Sequence, residues 1–171
     1  MTAEQYQMLI MPMRHKIYRL AHRLLQDIEE AEDVVQEVMI RLWDRRDQVA
    51  GYSNPEAFAM TVTKNLSLDK LRTQARRPQA GIYDHTLQES HTPEKVAEQS
   101  DTHQMVLKLI GQLSDMQRLV IQLRDVEGLE FDEIEEITGM NKIAIRTNLS
   151  RARKKVREAL QKQMNYEYPG N

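Results

Sequence analysis

Residues 131–160 read FDEIEEITGMNKIAIRTNLSRARKKVREAL, and their spacing decides the architecture. Phe131, Ile134 and Ile137 recur at helical intervals, Gly139-Met140-Asn141 makes a tight turn, and a second periodic run follows. A short helix from Glu130 to Thr138, a glycine turn and a long helix is helix-turn-helix spacing. Ile145, Leu149, Ala152 and Val156 line the inner face of the second helix. Its other face carries Arg146, Thr147, Asn148, Ser150, Arg151, Arg153, Lys154 and Arg157. These residue types reach base edges and phosphates in a major groove. Asp132, Glu133, Glu135 and Glu136 on the first helix would be repelled by phosphate, so that face must turn away from DNA or toward a protein.

The charge distribution supports a polyanion partner on one surface. The 171-residue chain has a net charge of only −2, yet residues 141–171 hold 8 basic and 2 acidic groups. Residues 101–140 hold 3 basic and 9 acidic groups, so an acidic-to-basic step falls near residue 140. Gly 6 and Pro 5 are too few for a strand-and-turn fold, while 40% hydrophobic residues supply real cores. The absence of Cys excludes a disulfide scaffold, thiolate metal sites and cysteine nucleophiles. No apolar run approaches the roughly 18 residues of a membrane span, and there is no signal-peptide core. A soluble cytoplasmic protein without direct membrane insertion is expected.

Upstream, the pattern is helical nearly throughout, giving an all-α class. A first helix is expected from about 4 to 26, with Ile10, Ile17, Leu20, Ala21, Leu24 and Leu25 on its apolar face. Asp27 with Glu30 forms a capping-box-like start for a second helix, whose stripe is Ala31, Val34, Val35, Val38 and Leu42. Gly51, Tyr52 and Ser53 read as a loop, and Asn54-Pro55-Glu56 opens a third helix that Pro78 stops. Residues 79–92 lose periodicity and read as a flexible linker between two small helical domains, 1–78 and 93–171. That composition permits a compact form hiding both DNA surfaces without requiring one. Thr92-Pro93 restarts a helix ending near Leu113, and Ser114 with Gln117 starts another that ends near Gly128.

The first domain offers two contrasting helices. The second helix carries Glu29, Glu30, Glu32, Asp33 and Glu37 with no basic residue before Arg41. The third carries Lys64, Lys70, Arg72, Arg76 and Arg77 against Asp69. Contacts with two partners follow, one of them nucleic acid. No enzyme constellation competes, so no catalytic residue, metal, cofactor or small-molecule substrate is assigned. His15 and His22, seven apart, lack carboxylate support and read as ordinary residues, and the scattered Met residues as core or interface filler. Two other readings are a stand-alone dimeric helix-turn-helix regulator and a helical protein that binds only other proteins.

Residues 31–43, AEDVVQEVMIRLW, together with Lys64-Asn65, Leu68-Asp69-Lys70-Leu71-Arg72 and Arg76-Arg77-Pro78, resemble the second region of bacterial extracytoplasmic-function (ECF) sigma factors. Leu113 to Val120, Asp125 to Leu129, Glu133-Ile134 and Ser150 to Lys155 resemble that group's fourth region. The resemblance implies a promoter-specificity subunit with core RNA polymerase and promoter DNA as partners, and commonly an anti-sigma factor. It implies that Asp33, Gln36, Glu37 and Arg41 face the clamp helices of core polymerase. A flipped base of the minus-ten element would enter the loop 48–54, including Gly51, Tyr52 and Ser53, with Asn65 beside it. Lys64, Lys70, Arg72, Arg76 and Arg77 would serve the same strand. Tyr52 and Phe58 are the aromatics placed for stacking, although Phe58, where the family often has Trp, reads better as core. Arg146, Thr147, Asn148, Ser150, Arg151, Arg153 and Lys154 would face the minus-thirty-five element. The turn usually ends in Gly-Thr; here Ile143-Ala144 stands there, which makes Asn141 the expected cap.

Overall fold

The computed structural model describes residues 1–77 and 101–167, and these residues are helical with no strand. The first expected helix is two. Helix α1 (Ala3–Ile10) starts at Thr2, whose hydroxyl accepts from the Gln5 amide while the Gln5 side chain accepts from the Thr2 amide. A 3-10 turn, Met11–Met13, then leads into α2 (Arg14–Leu25). Pro12 explains the break, since it has no amide hydrogen and crowds the preceding turn. Helix α2 closes at Gln26, which takes a left-handed conformation with φ of 55°.

Asp27 caps α3 (Ile28–Asp44) as expected, accepting from the Glu30 amide at 2.9 Å. The return bond of a capping box is absent because the Glu30 carboxylate instead accepts from Lys70 at 2.6 Å. A short helix, α4 (Arg46–Val49), precedes the loop at 51–53. Asn54 caps α5 (Pro55–Arg76) through the Ala57 amide at 3.0 Å, with Pro55 at the first helical position.

The second half begins with α6 (Asp101–Gly111); the expected linker at 79–92 and the start at Thr92-Pro93 lie outside the described residues. Ser114 precedes α7 (Asp115–Ile121) without a side-chain cap bond, and the chain then widens into a π turn, Gln122–Val126. Helix α8 (Phe131–Thr138) ends at Gly139, whose φ of 72° is a conformation that strains any other L residue. Helix α9 (Lys142–Glu167) is capped by Asn141, whose side-chain oxygen accepts from the Ala144 amide at 2.8 Å. Asn thus replaces the usual Thr of the turn.

Three apolar clusters organise these helices. The first packs Ile17, Ala21 and Leu25 of α2 against Ala31, Val34, Val35, Val38 and Leu42 of α3, with Tyr6, Ile10 and Met13 added from the N-terminus. Another joins Ile110, Leu113, Val120 and Ile121 to Leu149 and Ala152. Between them lies a cluster that belongs to both halves. Leu20 and Leu24 of α2 and Ala57 and Met60 of α5 pack with Leu119, Leu123, Leu129, Ile134, Ile137 and Ile145. The two sets of helices therefore dock directly on each other, α2 against α7 and α5 against α8. The apolar arc of α2 makes this possible, being wider than the stripe of about 100° that one partner needs.

Candidate nucleic-acid and partner surfaces

The turn between α8 and α9 sets the basic helix on its support. Ile134 and Ile137 below, and Ile145, Leu149 and Ala152 above, are buried, so the opposite face of α9 must point to solvent. Arg146, Thr147, Ser150, Arg151 and Lys154 are all exposed there. Phe131 lies under the Arg146 guanidinium, 5.1 Å from ring centroid to carbon, and restricts its direction by a cation–π contact.

Two of the expected DNA contacts are otherwise engaged. Asn148 is half-buried and donates to the Ala144 carbonyl at 2.9 Å, a bond within its own helix. Arg153 forms a two-pronged pair with Asp125 at 2.9 and 2.5 Å, which raises its pKa and ties α9 to the π turn. On α8, Asp132 pairs with Lys142, so one carboxylate of the acidic face is compensated locally.

Helix α3 turns its carboxylates outward, as its buried stripe dictates. Asp33 and Gln36 are exposed, and Asp33 makes no ion pair among the described residues. Glu37 and Arg41 pair with each other at 2.7 Å along the helix. Glu32 pairs with Arg14 at 2.9 Å. Ile40 and Trp43, 56% and 39% exposed, continue the outer side of this helix toward its C-terminus. A groove of about 260 Å³ separates α3 from α5, with Glu30 and Glu37 on one wall and Lys70 and Arg77 on the other.

The basic residues of α5 are less free than their sequence suggests. Lys70 is held by Glu30, Arg72 by Asp69 at 3.1 Å, and only Arg76 and Arg77 stand exposed without a described partner. Lys64 donates to the Ile137 carbonyl of α8 at 2.9 Å, and burial there holds its ammonium below the ordinary lysine value. Asn65 next to it is exposed. Gly51, Tyr52 and Ser53 form an exposed loop, and the Tyr52 ring leans on Phe58 at 5.0 Å and 58°. Phe58 is half-buried against the first core, so it serves packing and presents Tyr52 at once.

Sequence reasoning missed a polar group at the junction of the halves. Arg19 grips Glu127 with two bonds of 2.8 and 2.7 Å, and the Glu127 side chain is 2% exposed. Arg23 donates to Gln122 at 2.9 Å, and Gln122 donates in turn to Glu127 at 3.2 Å. Gln26 reaches the Gly111 carbonyl at 2.6 Å. Burial, then the nearby Arg118, lowers the Arg23 pKa. No periodicity in the sequence marks these pairs, because partners such as Arg19 and Glu127 lie 108 residues apart.

Residues 9–77 match the family model described as sigma-70 region 2, and residues 103–156 match sigma-70 region 4. The sigma-H factor of Pseudomonas aeruginosa is 27% identical over 166 residues, which is 91% of this chain and 86% of that protein. The ECF sigma factor SigL of Mycobacterium tuberculosis is 30% identical across 85% of this chain and 82% of its own length. SigJ of the same species is 32% identical over 84% of this chain, but the chain spans only 47% of it. In fold, the chain resembles the sigma factor RpoE of Bartonella quintana, solved with the anti-sigma factor NepR. That match has a TM-score of 0.77 at 24% identity, covering 93% of this chain and 98% of that one. Both regions occur in order on one polypeptide, which a stand-alone regulator would leave unexplained. The chain belongs to the ECF group of RNA polymerase sigma factors, the subunits that direct promoter recognition.

Proposed function

We propose that residues 1–78 bind core polymerase and open the minus-ten element, that 79–92 link, and that 93–171 read the minus-thirty-five element. The observation that carries this reading is the exposed face of α9, where Arg146, Thr147, Ser150, Arg151 and Lys154 stand together on a capped recognition helix. Arg and Thr supply base-edge and phosphate donors, and Phe131 limits the swing of Arg146. Asp33 and Gln36, with Glu37 and Arg41, form the polymerase dock, since exposed carboxylates favour a basic helical partner and speed encounter with it. Asn65 reads an unpaired base with both a donor and an acceptor, and Tyr52 offers a stacking face. Gly51 and Ser53 shape the loop around that base, while Lys64, Lys70, Arg72, Arg76 and Arg77 hold the strand's phosphates once released from their internal partners. Asn148, Arg153 and Lys154 complete the minus-thirty-five surface, the first two after giving up their internal bonds.

This division of labour assigns the chain no chemistry of its own and places its work in the cytoplasm with polymerase. The Bartonella neighbour was solved with an anti-sigma factor, and we include an anti-sigma protein among this chain's partners. The double variant Arg146→Ala/Arg151→Ala tests the DNA half. Promoter-directed initiation by reconstituted holoenzyme should fall, with the salt slope of promoter binding flattening by about one to two units on a log–log plot. Core polymerase should still co-elute with the variant. Equal loss of core binding would overturn the assignment of α9 to DNA.

A further inference from the structure

We infer that Ile143 is a specificity-determining residue of the minus-thirty-five surface, and that it reads the C5-methyl group of a thymine. The inference rests on the proposed assignment of α9 to that element and names a residue outside the contact set given above. Ile143 is 74% exposed and joins none of the three apolar clusters. Single exposed apolar residues are ordinary on a protein surface, so exposure alone decides nothing. Position does. At about 100° of turn per residue, Ile143 lies within roughly 60° of Arg146, Thr147, Ser150 and Lys154, all exposed. The buried seam of Ile145, Leu149 and Ala152 is at least about 120° away around the same helix. One apolar side chain is thus set among the polar groups of the face proposed to meet DNA.

The neighbouring cations fix what can cover it. An apolar protein surface brought onto Ile143 would strip water from Arg146 and Lys154 without giving them partners. Duplex DNA meets both needs. Its phosphates and base acceptors answer the cations, and its major groove offers an apolar group at one base only, the thymine methyl. A recognition helix brings its first residues to the base edges in that groove. Ile143 is the second residue of α9, and Asn141 pins this turn by accepting from the Ala144 amide at 2.8 Å. The adjacent Lys142 is held by Asp132 of α8. Isoleucine is β-branched and stiff at its first side-chain torsion, so it presents its methyl groups at little cost in entropy. Arg146 stands about 4.5 Å further along the helix axis, and stacked base pairs are about 3.4 Å apart. The thymine therefore belongs within one or two base pairs of the base that Arg146 reads.

Deoxyuridine, which is thymidine without the methyl group, is the direct probe. Holoenzyme reconstituted with the full wild-type chain first selects duplexes from a pool randomised over a promoter-length stretch, and Arg146→Ala holoenzyme marks the position whose preference it relaxes. Each thymine near that position, on either strand, is then replaced singly by deoxyuridine. Fluorescence anisotropy measures binding by holoenzymes carrying wild type, Ile143→Ala and Ile143→Val. One replacement, within one or two base pairs of the marked position, should weaken wild type about three- to fivefold, the worth of one buried methyl group. Ile143→Ala should bind the thymine and deoxyuridine duplexes alike, and Ile143→Val should keep most of the discrimination. Because the readout is a ratio between two duplexes, a uniform loss of affinity does not imitate it. Discrimination that survives in Ile143→Ala, wild type indifferent to every replacement, or a selected site with no thymine there would each overturn the inference. Failure of the α9 assignment would show separately, as selection left unchanged by Arg146→Ala/Arg151→Ala.

Discussion

His22 stacks face to face on Tyr18, 5.6 Å between ring centroids, and burial lowers its pKa, helped by Arg23 and opposed by Asp27. The folded chain therefore resists protonating a group that the unfolded chain protonates near pH 6.5. Its contribution to stability is complete above about pH 6.5 and declines as pH falls below it. Urea midpoints at about pH 7.5 and 5.5 should drop further for wild type than for His22→Gln; equal drops would remove His22 as a cause. Asn65 has a different signature. Exposed and without a hydrogen-bond partner among the described residues, it should matter for DNA opening alone. Asn65→Ala should weaken the signal of a fluorescent minus-ten probe in the open complex while duplex binding and thermal stability hold. An unchanged probe signal would count against the base-reading role.

At the level of helices, the caps mark where local sequence speaks clearly. Asp27, Asn54 and Asn141 each accept an amide three residues on, and each was legible from its side chain and position. Asn141→Ala should cost about 1 kcal/mol of stability and loosen the entry of α9. Chemical denaturation would register the first effect, and loss of minus-thirty-five binding larger than the stability change the second. Retained binding with the cap removed would show that α9 is oriented by its core contacts instead. The expectation of one continuous first helix failed at Pro12, where apolar periodicity on both sides masked a residue that cannot continue a helix. The expected minus-thirty-five set was readable as a helix face, but Arg153 and Asn148 were not readable as engaged. Their partners, Asp125 and the Ala144 carbonyl, depend on how the π turn and the helix backbone come to lie.

Across the whole molecule, the periodic stripes located the helices and their inner faces, and Ala31, Val34, Val35, Val38 and Leu42 are all buried as their spacing implies. Periodicity cannot say which neighbour a stripe meets. Leu20 and Leu24 look like part of one face with Ile17 and Ala21, yet they serve a different cluster, shared with α7 and α8. The docking of the halves rests on such long-range partners, and it leaves the α9 face open while covering Lys64. The acidic side of α3 also stays open, with Asp33 unpaired among the described residues and Glu37 answered only by Arg41. We propose that side as the dock for polymerase. Reversing it costs the fold little, because exposed charges of this kind contribute tenths of a kcal/mol to a helix. The most direct measurement is co-elution with sigma-free core RNA polymerase of the wild-type chain and of Asp33→Lys/Glu37→Lys, matched for helicity. Stable co-elution of wild type and its loss in the variant is the predicted result; equal co-elution of both would contradict the assignment of α3 as the dock.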